Sequence, residues 1–246
     1  MLSIVMLIIL AGKDRISDPP VFDILIRLSQ LIFKPFCIIF LSRALFQNFE
    51  MKFTLQNEEV ADLLKAWFAI SFAFAILLNK GLDFDSGFLS QMLMAAITVG
   101  LGFLLHEMAH KVMALKFNVQ ARFHSFDLML LATVAMSFFG FVFAAPGAVF
   151  IYGKVNDVKN GIISAVGPLT NIFLAILFLA VAFTVPSLSE FALYGFSINS
   201  WLAVFNMLPI FGLDGTKVLK WSKPFYFIML AFSFALLFIS FGMGGF

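Results

Sequence analysis

Uncharged apolar stretches of about twenty residues alternate with short polar segments along most of this chain. That is the length an α-helix needs to cross the hydrocarbon core of a bilayer, at roughly 20 residues. The stretches cover residues 87–105, 160–189, 191–213 and 225–246, with a shorter one at 63–78 that carries Lys65. Residues 22–46 are apolar but hold Arg27, Lys34 and Arg43, and read as a poor span or a helix lying in the interface. Residues 47–62 are polar and acidic and read as a solvated loop. The pattern predicts an all-α polytopic membrane protein with about six transmembrane segments. Two units are expected: residues 1–62, with apolar or interfacial segments and the polar loop, and residues 63–246, a membrane-embedded domain.

The charges between the stretches set an orientation, because cytoplasmic loops are enriched in Lys and Arg. One group of loops holds Lys111, Lys116, Arg122, Lys154, Lys159, Lys217, Lys220 and Lys223, whereas the opposite group holds only Lys80. The first group is expected on the cytoplasmic side of the cell membrane. Residues 128–153 then have both ends on that side, which a single crossing cannot achieve. Gly140, Pro146 and Gly147 within this stretch favour a re-entrant hairpin or strand pair, placed between the helix ending near residue 105 and the next span.

Composition agrees. Of the 246 residues, 62% are hydrophobic and 12% charged, and mean hydropathy is +1.02. A soluble domain is nearer half apolar and a quarter charged. The net charge of +2 points to no nucleic-acid partner. Cys37 is the single cysteine, so an internal disulfide and a cysteine-based zinc site are both excluded. The apolar residues 1–10 have no basic segment before them and are too short to span, so neither a secretory signal nor an extra helix is expected there. Metal chemistry would have to come from His, Asp and Glu.

Those residue types meet at the end of the stretch 87–105. His106-Glu107-Met108-Ala109-His110 is an H-E-x-x-H pattern. On a helix, positions i and i+4 share a face, so both imidazoles can bind one zinc ion. Glu107, one residue on, can hydrogen-bond a zinc-bound water. Ionisable residues within membrane segments are costly and mark functional sites. The plainer alternative is a helix end whose polar side chains bond to cytoplasmic neighbours. A catalytic zinc takes three protein ligands and keeps one position open. His124 is one candidate third ligand. Asp214 is better placed, since it ends the stretch 191–213 on the same side as His106 and His110, with Gly212 and Gly215 beside it to let the helix unwind. A simple pairing with Lys217 is the alternative for Asp214.

Three motifs in the same order resemble the site-2 protease family of intramembrane zinc metalloproteases. They are His106-Glu107-x-x-His110, then Gly167-Pro168-Leu169-Thr170-Asn171, similar to A-G-P-x-x-N, then the run from Asn206 through Pro209 and Leu213 to Asp214-Gly215, similar to N-x-x-P-x-x-x-L-D-G. The matched core runs from about residue 88 to 220, and the whole looks like the compact prokaryotic members, of archaeal type. The resemblance implies that His106, His110 and Asp214 hold one Zn2+ and that Glu107 is the general base. It also places Asn171 and Asn206 near the metal, as catalytic groups that orient substrate or stabilise the oxyanion. A bond to a neighbouring helix is the plainer use of each asparagine. Gly167 and Pro168 read as packing and kink positions. Thr216 and Gly212 depart from the family pattern near Asp214, which bears on the loop's shape and not on the ligands.

The expected activity is therefore hydrolysis of peptide bonds in or near transmembrane segments of another protein, within the bilayer and near the cytoplasmic face. Two alternatives differ in class. Other membrane metalloproteases commonly take a glutamate as third ligand, but the only later one, Glu190, is expected on the far side. A non-proteolytic metal-binding protein or transporter would place its ionisable groups at mid-membrane between related halves, which this chain lacks.

Overall fold

The computed structural model describes residues 54–79, 86–142, 146–210 and 212–244. The apolar stretch at 22–46, most of the expected N-terminal unit and Lys80 lie outside the described residues. In chain order, the helix α1 (Asn57–Asn79) is followed by α2 (Ser86–Ala95), a π-helical turn (Ala96–Gly100) and α3 (Leu101–Lys116). A strand β1 (Gln120–Ser125), the helix α4 (Asp127–Ser137) and a strand β2 (Gly147–Tyr152) come next. The chain ends with α5 (Asp157–Thr184), a short 3-10 turn, α6 (Ser189–Asn206), α7 (Asp214–Trp221) and α8 (Lys223–Gly242). Four of these segments are long and apolar enough to cross a membrane: Asn57–Asn79, Gly87–Lys116, Asp157–Thr184 and Lys223–Gly242.

Local chemistry explains the boundaries. Asn156 caps α5 by accepting from the Lys159 backbone N–H at 2.9 Å. Ser222 caps α8 in the same way, with Pro224 in the first turn, where its missing N–H is harmless. The helix α3 ends in a reversal at Asn118, whose φ of 58° is left-handed. Asparagine tolerates that conformation better than most residues, and the Val119 N–H closes back on the Ala114 carbonyl at 3.0 Å. The reversal sends β1 back along α3. The π-helical turn between α2 and α3 places Leu101 N–H on the Ala96 carbonyl, and the Trp67 indole of α1 donates to the same oxygen at 3.1 Å.

Three expectations change here. The described residues of 128–153 hold most of α4 and β2, and β2 pairs antiparallel with β1, upstream of the segment, from Gln120↔Tyr152 to Ser125↔Gly147, in place of a strand pair within the segment. The strand signal of β1 is short and carries Arg122 and His124, which hid it. The stretch 191–213 is not one helix either: α6 stops at Asn206, and Asp214 opens α7. The described residues between them, 207–210 and 212–213, are not helical, and Gly212 takes a φ of 74°. A Cβ at Gly215 would collide with the Met207 carbonyl, so the end of α6 lies tightly against the start of α7.

The third change concerns residues 57–62, expected in a solvated loop. They form the first turns of α1, and Glu59 is buried. Its carboxylate pairs with Lys111, which is equally buried in α3 and is no loop cation, and its Oε1 accepts the Phe123 backbone N–H at 3.0 Å. Lys111 also donates to the Thr54 carbonyl at 3.0 Å. This ion pair ties α1, α3 and β1 together one residue beyond His110. Two larger apolar cores hold the helices together. One joins α1, the α2–α3 segment, β1, α4 and α6 through Ile70, Val99, Phe103, Phe123 and Ile198. The other joins α5 to α6, α7 and α8 through Ile172, Phe196, Met207, Val218 and Met229.

Removing one partner of a buried ion pair strands the other charge and costs about 3–5 kcal/mol, while removing both is much milder. Lys111→Met is therefore expected to destabilise the protein by that amount in mixed-micelle unfolding. Adding Glu59→Gln should recover most of the loss. Equal destabilisation of the single and double variants would show that the pair does not clamp these elements.

Candidate metal centre

The side chains of His106 and His110 lie on one face of α3, and α7 brings Asp214 to them. All three are buried. The two Nε2 atoms are 3.0 Å apart, and Asp214 Oδ2 is 3.2 Å from His106 Nε2 and 3.0 Å from His110 Nε2. Among the described residues, this is the one group of three or more His, Cys, Asp or Glu able to hold a metal ion. Tetrahedral zinc with bonds of about 2.0–2.1 Å separates its ligand atoms by about 3.3 Å. The observed triangle is slightly tighter than that, and the donor set of two nitrogens and a carboxylate suits zinc.

The orientation of each imidazole is settled from behind. His110 Nδ1 lies 2.7 Å from the Ile163 carbonyl, which can only accept. His110 therefore carries its proton on Nδ1 and presents the Nε2 lone pair to the metal position. His106 Nδ1 lies 2.6 Å from Asn171 Oδ1 and is set in the same way. The buried Asp214 carboxylate supplies the third, anionic donor of the group. Lys217, one turn on, is 3.8 Å from its other oxygen, so the expected pairing is present without displacing the histidines.

Glu107 is buried beside the triangle. The Val149 backbone N–H of β2 faces its carboxylate, and Oε2 is buried with no hydrogen-bond partner among the protein groups. An orphaned carboxylate oxygen here is what a base awaiting a water proton requires. Two cavities meet at His106 and Glu107. One, of about 200 Å3, is lined by Ile70, Val99, Phe103, Phe126, Leu202 and Phe205 together with Asn206. The other, of about 110 Å3, is lined by His110, Ser164, Asp214 and Lys217. The site therefore has an apolar side and a polar side.

The remaining sequence candidates separate. His124 is on β1, with Nε2 2.9 Å from the Tyr152 hydroxyl and Nδ1 3.7 Å from Asp62, and is not part of the metal group. Asn206 lines both cavities, and one of its N–H bonds goes to the Leu202 carbonyl at 2.9 Å. It does not sit on the same helix as Asp214, because α6 has ended. Asn171 is close to the metal position, but its amide is already engaged. Its oxygen faces His106, and its Nδ2 donates to Asn199 Oδ1 at 3.1 Å and to the Gly102 carbonyl at 3.3 Å. Both of its N–H groups are thus engaged within the protein.

Gly167 does more than pack. A Cβ there would fall against the Nε2 atoms of both histidines, so the missing side chain is what leaves room for an ion. Helix-interior glycine costs about 1 kcal/mol relative to alanine, a penalty with no purpose unless space is needed. Gly167→Ala is expected to abolish stoichiometric zinc binding while the protein stays folded, as read by elemental analysis and circular dichroism. Full zinc content in that variant would contradict the packing described.

A protein of Methanocaldococcus jannaschii named "Putative zinc metalloprotease MJ0611" is 37% identical to this chain over 178 residues, covering 70% of this chain and 88% of that protein. No protein-family model matches the chain, and no solved structure does. Similarity at this level also agrees with the donor set found at the triangle, which suits zinc as that protein's name does. The chain belongs to the family of that zinc metalloprotease.

Proposed function

We propose that the protein is an intramembrane endopeptidase of the site-2 type, which hydrolyses peptide bonds in or near the transmembrane segments of other membrane proteins. The observation that carries this reading is the position of the metal group: His106, Glu107 and His110 lie within Gly87–Lys116, a segment apolar enough to cross a bilayer. Burying such groups is justified if the peptide to be cut is itself in the lipid. The charge bias of the loops supports a multi-pass cell-membrane protein with about six segments and the site near the cytoplasmic face.

In this reading His106, His110 and Asp214 hold the zinc. Zinc held there would supply Lewis-acid chemistry, activating a water and polarising the scissile carbonyl. The apolar cavity between α1, α3 and α6 receives the peptide, and the polar one beside Lys217 and Ser164 admits water. Glu107 takes a proton from the water as its oxygen bonds to the carbonyl carbon. It then delivers that proton to the amide nitrogen as the C–N bond breaks, leaving an amine and a carboxylic acid, which loses its own remaining proton to solvent. Asn206 has one amide hydrogen beyond its bond to Leu202, which is available to the carbonyl oxygen as negative charge develops there. A helical substrate has to unwind locally, since its carbonyls are otherwise bonded within the helix.

Glu107→Gln is expected to lower cleavage of a reconstituted transmembrane substrate by about 10²–10⁴-fold with zinc content unchanged. Chelation should abolish cleavage, and added zinc should restore it. Undiminished activity of the Gln variant would sink the assignment of Glu107. Efficient cleavage of a soluble peptide, with the same sequence left intact in the bilayer, would sink the intramembrane reading alone.

A further inference from the structure

Asn199 lies in the middle of α6, is fully buried, and belongs to none of the motifs that drew attention to the site. Its amide forms one end of a chain of hydrogen bonds that reaches His106. Asn199 Nδ2 donates to the Gly195 carbonyl at 2.9 Å. Asn199 Oδ1 accepts from Asn171 Nδ2 at 3.1 Å, and Asn171 Oδ1 faces His106 Nδ1 at 2.6 Å. The contact is close: a Cβ on Gly102, one turn before His106, would strike Asn199 Oδ1 at 2.5 Å.

The direction of this chain has one solution. A backbone carbonyl can only accept, so the Gly195 oxygen must face the NH2 end of Asn199. The oxygen of Asn199 then faces Asn171, and only the NH2 of Asn171 can meet it. That turns the Asn171 oxygen toward His106 and requires a proton on Nδ1. Nε2 is left with its lone pair toward Asp214 and His110. The Gly102 carbonyl reinforces the Asn171 orientation, but at 3.3 Å and as part of the α3 backbone ladder. Where His110 is oriented directly by a backbone carbonyl, His106 is oriented through two amides. Flipping Asn171 would present an N–H to Nδ1 and favour the tautomer that cannot bind metal, and losing the Asn199 oxygen removes one of the two acceptors that oppose that flip.

We propose that Asn199 is a positioning residue of the zinc site, which holds Asn171 and through it the metal-binding tautomer of His106. The inference rests on the reading of His106 as a zinc ligand. A buried asparagine can also serve only to bond or pack helices, and two substitutions separate the two roles. Asn199→Leu matches the shape, suits a membrane helix and removes the acceptor for Asn171. Asn199→Asp keeps that acceptor, and its carboxyl in the neutral form still donates to the Gly195 carbonyl. A packing residue tolerates Leu better than Asp. A positioning residue shows the reverse.

The experiment measures zinc affinity of the full chain in detergent, by competition with a chromophoric chelator, for the wild type, Asn199→Leu, Asn199→Asp and His106→Ala. Asn199→Leu is expected to bind zinc about tenfold more weakly, the usual effect of losing an outer partner of a ligand, with Asn199→Asp close to the wild type. Wild-type affinity in the Leu variant, or a loss in the Asp variant as large as that in Leu, would overturn the proposal. Should the Leu variant fail to fold, the Asp variant decides: near-wild-type affinity supports it and a tenfold loss overturns it. If His106→Ala binds as tightly as the wild type, the ligand assignment itself is wrong. If His106→Ala is defective and Asn199→Leu is not, only the role of Asn199 falls.

Discussion

Two imidazoles and a carboxylate meet within 3.2 Å of one another inside a bundle of apolar helices, and most of the polar structure exists to make that meeting tolerable. Unpaired, such groups would carry several kcal/mol of desolvation each. The imidazole atoms that do not face the metal position are therefore taken up from behind, with Ile163 and Asn171 at the two Nδ1 atoms. Glu107 Oε2 is buried beside them without a partner among the protein groups.

The supporting groups come from different elements, which explains the architecture. The central helix α5 supplies Ile163, Gly167 and Asn171, one after another along the face toward α3. The strand β2 exists at this depth because β1 satisfies one of its edges, and the pair Glu59–Lys111 anchors β1 through Phe123. The non-helical residues between α6 and α7 break what composition would make a single long helix. The break lets Asp214 enter at the start of α7, with its side chain toward α3, instead of trailing off the end of α6. A zinc metalloprotease in a membrane thus needs irregular backbone in two places, and both lie against the cavities where substrate and water would gather.

Much of this was legible in the sequence. The spans near 63–78, 87–105, 160–189 and 225–246 follow from hydropathy alone, because length and apolarity are local properties. His106, Glu107 and His110 follow from helical spacing, and Asp214 from its place at the end of an uncharged run. Other features were not legible because they depend on pairings across the chain. Glu59 looks like a solvated acid until Lys111 is beside it, and β1 looks like a basic loop until β2 is found. The end of α6 is set by a glycine with positive φ and by a carbonyl that Gly215 must admit, neither of which changes the hydropathy. Gly167 carried a usable signal, a glycine where helix propensity argues against one. Asn199 carried a weaker one, a polar residue in the middle of an apolar run.

Anomalous diffraction at the zinc edge, from crystals of the zinc-loaded protein, distinguishes one ion shared by two distant segments from any other arrangement. A single peak is expected about 2.0–2.2 Å from His106 Nε2, His110 Nε2 and Asp214 Oδ2. A peak elsewhere, or one whose coordination omits either histidine or Asp214, would contradict it.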